Sequence, residues 1–187
     1  MADWRLTPQN SALVVIDVQE KLMPHIARRA EVLAAIPKLL GAARVLQVPP
    51  LITAQYVKGL GPVCPEIAGA APGIPPIEKL AFSCCGSEEF TRAIRELRRP
   101  RVLLCGVEAH VCVLQTAIDL MGDGHFVYVA ADAVGSRHES DREVALERLR
   151  DCGAVITTVE SAVFEMLREA GTAQFKKVLP LFREAVV

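Results

Sequence analysis

The chain has no surplus of positive charge. Lys and Arg number 21 against 22 Asp and Glu, a formal net charge of −1. That balance implies no basic face, so no nucleic acid is expected as a partner. Long hydrophobic runs are also missing. Ala12–Ile16 is five residues, far short of the about 20 that cross a bilayer, and no membrane association is expected. The opening MADWRLTPQN lacks a basic start followed by an apolar stretch; no secretory signal is read there, and a cytoplasmic location is expected. The six cysteines (Cys64, Cys84, Cys85, Cys105, Cys112 and Cys152) include no CxxC pair. This argues against a structural zinc site and against thioredoxin-type redox work, and the cysteines read as free thiols. No GxGxxG opens the first helix, which counts against a nucleotide-binding flavodoxin-like module.

What is present suits one soluble globular domain spanning residues 1–187. Half of the residues are apolar and 23% are charged, enough for a sizeable core. Short apolar runs alternate with longer amphipathic stretches. Strands are expected at Ala12–Asp17, Leu51–Gln55, Ile77–Ser83, Arg101–Gly106, His125–Ala131 and Ala154–Val159. Between them, helical spacing is read over Arg29–Val48, with Pro37 as a kink or early break. Further helices are read from a Ser87 cap to Arg98, over His110–Met121, from Ser140 to Cys152, and over Ser161–Glu169 and Ala173–Ala185. Gly59–Pro76, with four glycines and five prolines, reads as a long loop. Such alternation predicts an α/β fold: a three-layer α/β/α sandwich on a six-stranded, mostly parallel, Rossmann-like doubly wound sheet. Ligands of such sheets bind beyond the carboxyl ends of the strands.

Three chemically awkward residues fall at those ends. Asp17 closes the run VVID, where a carboxylate is costly unless paired or functional. Lys79 sits in IEKLAFS among apolar neighbours, equally expensive if its amine points inward. Cys112 lies in the first turn of a helix whose apolar face is Val111, Leu114, Ile118 and Met121. There the helix dipole and free N–H groups favour the thiolate, the nucleophilic form. Each has an ordinary reading. Asp17 serves as a helix cap, Lys79 as a surface lysine with a buried stem, and Cys112 as a small buried hydrophobe. Together they read as a nucleophile armed by an acid and an ammonium.

The segments DVQ after the first strand, a lysine before an FS pair, and GVEAHVC after the fourth strand, in that order from about Asn10 to Thr158, resemble the isochorismatase-like cysteine hydrolase family. TAQYVKGLGP and DAVGSR fit its branch of small proteins with TEQY-type and GLGP segments. The resemblance implies a Cys-Lys-Asp triad of Cys112, Lys79 and Asp17. It also implies a cis peptide at Val107–Glu108, and an oxyanion hole made by the backbone N–H groups of Glu108 and Cys112. Two departures matter. Thr53-Ala54-Gln55-Tyr56 stands where nicotinamidases of the family carry a DxH metal motif, so no catalytic metal and no cofactor are expected. True isochorismatases lack the cysteine, so Cys112 argues against vinyl-ether hydrolysis.

Secondary candidates for the substrate pocket are Gln19, Gln55, Tyr56, Phe82 and His110. For each a plain turn, core or surface role stands beside the pocket role. The expected function is metal-independent hydrolysis of a C–N bond in a small amide-type substrate through a covalent thioester. The alternative is a binding protein of the same fold that has lost catalysis. A homo-oligomer, dimer or higher, is expected from the 51% apolar content and from the family, with the terminal helices Ser161–Ala185 as the candidate contact.

Overall fold

Neighbouring residues of each central strand bury on opposite sides of one sheet. In β1 (Ser11–Ile16), Leu13 and Val15 enter one core while Ala12, Val14 and Ile16 enter the other. β4 (Arg101–Val107) divides in the same way, with Leu103, Cys105 and Val107 against Val102 and Leu104. Side chains of a strand alternate between two faces. A strand covered on both faces therefore needs a continuous apolar run, which ALVVI and VLLC supply.

The computed structural model describes residues 4–183. Its sheet runs β3-β2-β1-β4-β5-β6, with β2 at Pro50–Gln55, β3 at Ile77–Lys79, β5 at Phe126–Gly135 and β6 at Val155–Thr157. All five pairings are parallel, so the expected doubly wound fold holds and the sheet is parallel throughout. One face is covered by α1 (Arg29–Leu46), α3 (Pro65–Ala70), α7 (Val159–Leu167) and α8 (Ala173–Val178). The other is covered by α4 (Glu88–Glu96), α5 (Leu114–Gly122) and α6 (Glu139–Asp151). α2 (Val57–Leu60) is a single turn beyond β2. No helix among the described residues is long and apolar enough to cross a membrane.

Several boundaries differ from expectation. Pro37 lies inside an unbroken α1. A proline in a helix interior costs about 3 kcal/mol, and burying Ile36, Leu39 and Leu40, at about 1.5–3 kcal/mol each, outweighs it. The expected loop at Gly59–Pro76 contains α3, with Pro65 in its first turn, where a missing N–H costs nothing. β3 stops at Lys79 rather than Ser83, because the carbonyls of Ala81 and Phe82 turn inward to that lysine. α6 starts at Glu139, one residue ahead of Ser140. Ser87 does cap α4, its hydroxyl accepting from the Phe90 N–H. The last helix ends at Val178 and a 3-10 turn follows; the remainder of the expected span, Glu184 and Ala185, lies outside the described residues. The terminal helices spend much of their apolar surface within the chain. Val163, Met166 and Val178 join the α1 core, and the Phe164 ring packs edge-on against Phe175 and Phe182.

One glycine fixes how closely β1 and β4 approach. Gly106 has φ 112°, and a Cβ there would lie 2.1 Å from the Ile16 carbonyl oxygen. β1 and β4 flank the point where the strand order reverses, and the crevice outside their carboxyl ends is where such sheets hold ligands.

Candidate functional site

Asp17 and Cys112 stand on either side of that crevice. Asp17 follows β1 in a left-handed conformation (φ 53°) and is fully buried. Asp adopts that region more readily than most residues, and the turn sends its carboxylate toward β2 and β3. Thr53 Oγ1 donates to Asp17 Oδ1 at 2.7 Å, and Lys79 Nζ donates to Oδ2 at 2.6 Å. The cap and surface roles are therefore set aside: the carboxylate bonds across strands, and the Lys79 side chain is 1% exposed.

The ammonium has three protons and four acceptors within reach. Besides Asp17 these are Gln55 Oε1 at 2.6 Å, Phe82 O at 3.0 Å and Ala81 O at 3.2 Å. Register places Lys79 beside Gln55 on adjacent strands. Gln55 is tied down in turn, donating from Nε2 to Leu80 O. Gln19, expected to orient the acid or to contact substrate, is fully buried. Its amide donates to the carbonyls of Gln55 and Gly61 and accepts from the Gln55 N–H, at 2.7–2.9 Å. Both glutamine amides are thus engaged inside the protein, holding β2 and the following loop around the ion pair.

The chain leaves β4 through a cis Val107–Glu108 peptide and enters a π-helical turn, Ala109–Val113, ahead of α5. Cys112 sits in this turn, 6% exposed. Burial pushes its thiol up to about 12; the negative charge of Asp17 raises it further, and the ammonium of Lys79 lowers it. The pull of the helix start toward the thiolate is thus opposed by desolvation and by an adjacent carboxylate, both of which favour the neutral thiol. Among the described residues, the Glu108 N–H donates to no protein acceptor. The Glu108 side chain accepts from the N–H and Nε of Arg137, at 2.9 and 3.1 Å. His110 faces α6: its Nδ1 lies 3.0 Å from Ser136 Oγ, and its Nε2 lies 3.9 Å from Asp141.

Tyr56 and Phe82 are exposed at the carboxyl ends of β2 and β3, with Leu80 beside them. Tyr56 has φ 36°, and its ring lies where a Cβ on Gly59 would be, at 2.4 Å. A depression of about 530 Å³ adjoins Glu108 and is lined by Lys21, His25, Leu60 and Arg137. A larger cavity, about 900 Å³, is lined by Arg5, Gln47, Arg168 and Lys177 and touches none of these residues. No group of three or more His, Cys, Asp or Glu side chains among the described residues is placed to hold a metal.

Three participants were not legible in the sequence: Thr53, Cys84 and Arg137. Thr53 bonds Asp17, and the Cys84 thiol reaches Thr53 Oγ1 at 3.8 Å. The available signal was the spacing of Thr53 and Gln55 in LITAQ, two polar side chains on one face of a buried strand. Arg137 gave none, since one exposed arginine resembles another.

A wholly parallel sheet of this strand order, with its buried polar cluster at the reversal point, is a Rossmann-like α/β domain with its working edge at the carboxyl end. The Isochorismatase domain matches residues 11–161, and the chain belongs to that hydrolase family. It is 40% identical over 182 residues to isochorismatase domain-containing protein 2A of Mus musculus, covering 97% of this chain and 87% of the relative. It is likewise 40% identical to the secreted isochorismatase effector Isc1 of Phytophthora sojae, covering 96% and 88%. The solved structure of MAR1 ribonuclease from Caenorhabditis elegans superposes with a TM-score of 0.90 at 37% identity, covering 95% and 92%.

Proposed function

We propose that the protein is a metal-independent cysteine hydrolase that cleaves the C–N bond of a small amide-type substrate. The observation that carries this reading is the 2.6 Å Lys79–Asp17 pair, out of reach of solvent, with the Cys112 thiol under the influence of both charges. A buried ion pair costs several kcal/mol in desolvation per ion and is a poor device for stability alone.

Because the thiol is held protonated at rest, proton loss accompanies attack. Cys112 Sγ bonds to the carbonyl carbon as its proton passes to Asp17, and the carbonyl π electrons move onto oxygen. The N–H groups of Glu108 and Cys112 receive that oxyanion. The oxyanion collapses, the C–N bond breaks, and Asp17 returns the proton to the leaving amine. Water then attacks the thioester and gives a proton to Asp17, which passes it to the departing sulfur. The carboxylic acid product and the starting thiol result. Lys79 holds the carboxylate in place and balances its charge throughout. The end of β2, Thr53-Ala54-Gln55, offers amide and hydroxyl groups rather than Asp and His, which supports chemistry without a metal.

Turnover of a panel of small amides, ureides and carbamates, with RNA included because the 37% identical C. elegans protein is described as a ribonuclease, tests the reading. One of the C–N substrates is hydrolysed, and Cys112→Ala abolishes the activity. Equal turnover by the Cys112→Ala protein rejects the mechanism. We further propose that the protein works as a homo-oligomer, which light scattering checks; a monomer at micromolar concentration rejects it.

A further inference from the structure

We propose that Thr53 is a positioning residue for Asp17, setting the direction of the carboxylate through its hydroxyl. This rests on the cysteine-hydrolase reading and assigns a role to a residue outside the Cys-Lys-Asp trio.

The geometry is specific. Thr53 is fully buried in β2, and its Oγ1 donates to Asp17 Oδ1 at 2.7 Å. The same hydroxyl oxygen stands 3.8 Å from the Cys84 thiol, which donates to it. A hydroxyl has one proton and two lone pairs. With Cys84 donating inward, its single proton is directed to the carboxylate. Cys84 is held for this by its own N–H, which donates to Thr116 Oγ1 of α5 at 2.9 Å. The chain Cys84–Thr53–Asp17 thus fixes one carboxylate oxygen and Lys79 fixes the other, so the plane of the acid is set from two sides. The backbone adds a third tie, the Asp17 N–H donating to Thr53 O at 3.3 Å.

Bonds to the charged form of an acid hold it ionised. Asp17 must be ionised to accept the Cys112 proton, yet must give that proton up to the leaving group. Lys79 alone supplies charge from one side. Thr53 supplies a neutral donor from the other and keeps the carboxylate from rotating about its Cβ–Cγ bond. The titratable and charged groups that meet Asp17 are Lys79 from β3, Cys84 from the turn after it, and Cys112 from the π-helical turn.

Alkylation of Cys112 by iodoacetamide at neutral pH, followed by peptide mass spectrometry, reads the proposal without a known substrate. Asp17 takes the thiol proton as Cys112 attacks the probe, so Asp17→Asn slows Cys112 and leaves the exposed Cys152 unchanged. Thr53→Val, which keeps the side-chain shape and loses the hydroxyl, slows Cys112 by about tenfold, the size of one charge-assisted hydrogen bond. Thr53→Ser restores the rate. If packing alone mattered, valine would keep the rate and serine would lower it; that result overturns the proposal. Thr53→Ala carries the same comparison if the valine variant does not fold. If Asp17→Asn leaves the Cys112 rate unchanged, the cysteine-hydrolase reading itself fails and the role of Thr53 falls with it. Once a substrate is in hand, Thr53→Val lowers kcat by about 100-fold with little change in KM, the cost of a misplaced catalytic group.

Discussion

Gln55 Oε1 lies 2.6 Å from Lys79 Nζ, as close as Asp17 does on the other side. The ammonium is therefore shared between a charged and a neutral acceptor, and the ion pair cannot be treated as an isolated couple. Removing the lysine leaves Asp17 buried without its counter-charge. Lys79→Met should lower stability by about 3–5 kcal/mol, whereas Asp17→Asn combined with Lys79→Met should recover much of the loss. Urea denaturation of the two variants makes the comparison; equal losses would refute the account.

The buried glutamine makes a separate prediction. Gln19 satisfies two carbonyls and one N–H on either side of α2, at Gln55 and Gly61. Gln19→Leu leaves these groups unpaired at about 1–3 kcal/mol apiece. The expected result is a stability loss of about 3 kcal/mol or more, together with faster amide exchange at Gln55. Retention of slow exchange at that amide would show that water replaces the side chain without penalty.

Stability should also fall at alkaline pH. Burial raises Cys84 and Cys112 from 9.0 to about 12, and Cys64 to about 11. Unfolded thiols ionise first as pH climbs past 9.0, so the unfolded state then binds fewer protons than the native state. The slope of stability against pH is negative wherever that holds. The thiols' contribution is intact below pH 9.0 and is lost between there and about 12. Urea midpoints at successive pH values check this, and Cys84→Ala should flatten the decline relative to the unaltered protein.

Two glycines separate steric need from helix propensity. Gly106→Ala forces a Cβ onto the Ile16 backbone at a positive φ and should cost about 3 kcal/mol or more. Gly69 lies in α3, where an added Cβ would meet nothing within 4 Å. There, alanine should be neutral or stabilise by up to about 1 kcal/mol. Thermal unfolding of the pair distinguishes them, and similar midpoints would dismiss the close approach of β1 and β4.

The rim residues offer the opposite pattern. Tyr56→Ala and Phe82→Ala remove exposed rings, so stability should change by less than about 1 kcal/mol. If the rim meets the substrate, KM for a hydrolysed amide rises several-fold while the unfolding midpoint holds. An unchanged KM in both variants would place substrate contacts elsewhere, for example at the depression bearing Lys21 and Arg137.

The sequence by itself determined the class of fold and the strand ends at which to look. ALVVID and RVLLCG are dominated by apolar residues, and a run that buries both faces of a strand belongs to a covered parallel sheet. Asp17, Lys79 and Cys112 stood out because charge or reactivity in such surroundings is costly, a cost that the local sequence alone reveals. Only the tertiary structure decided who meets whom. Thr53 acquires a partner because β2 lies beside β1, and Gln55 reaches Lys79 because β3 lies beside β2. The partners of Gln19 and His110 came only with the fold: Gln19 bonds to backbone groups of two loops, and His110 bonds to Ser136 with Asp141 3.9 Å away. The proton affinity of Cys112 was out of reach for the same reason. A helix start is visible in one segment, whereas desolvation and the field of a carboxylate arrive from elements distant in the chain.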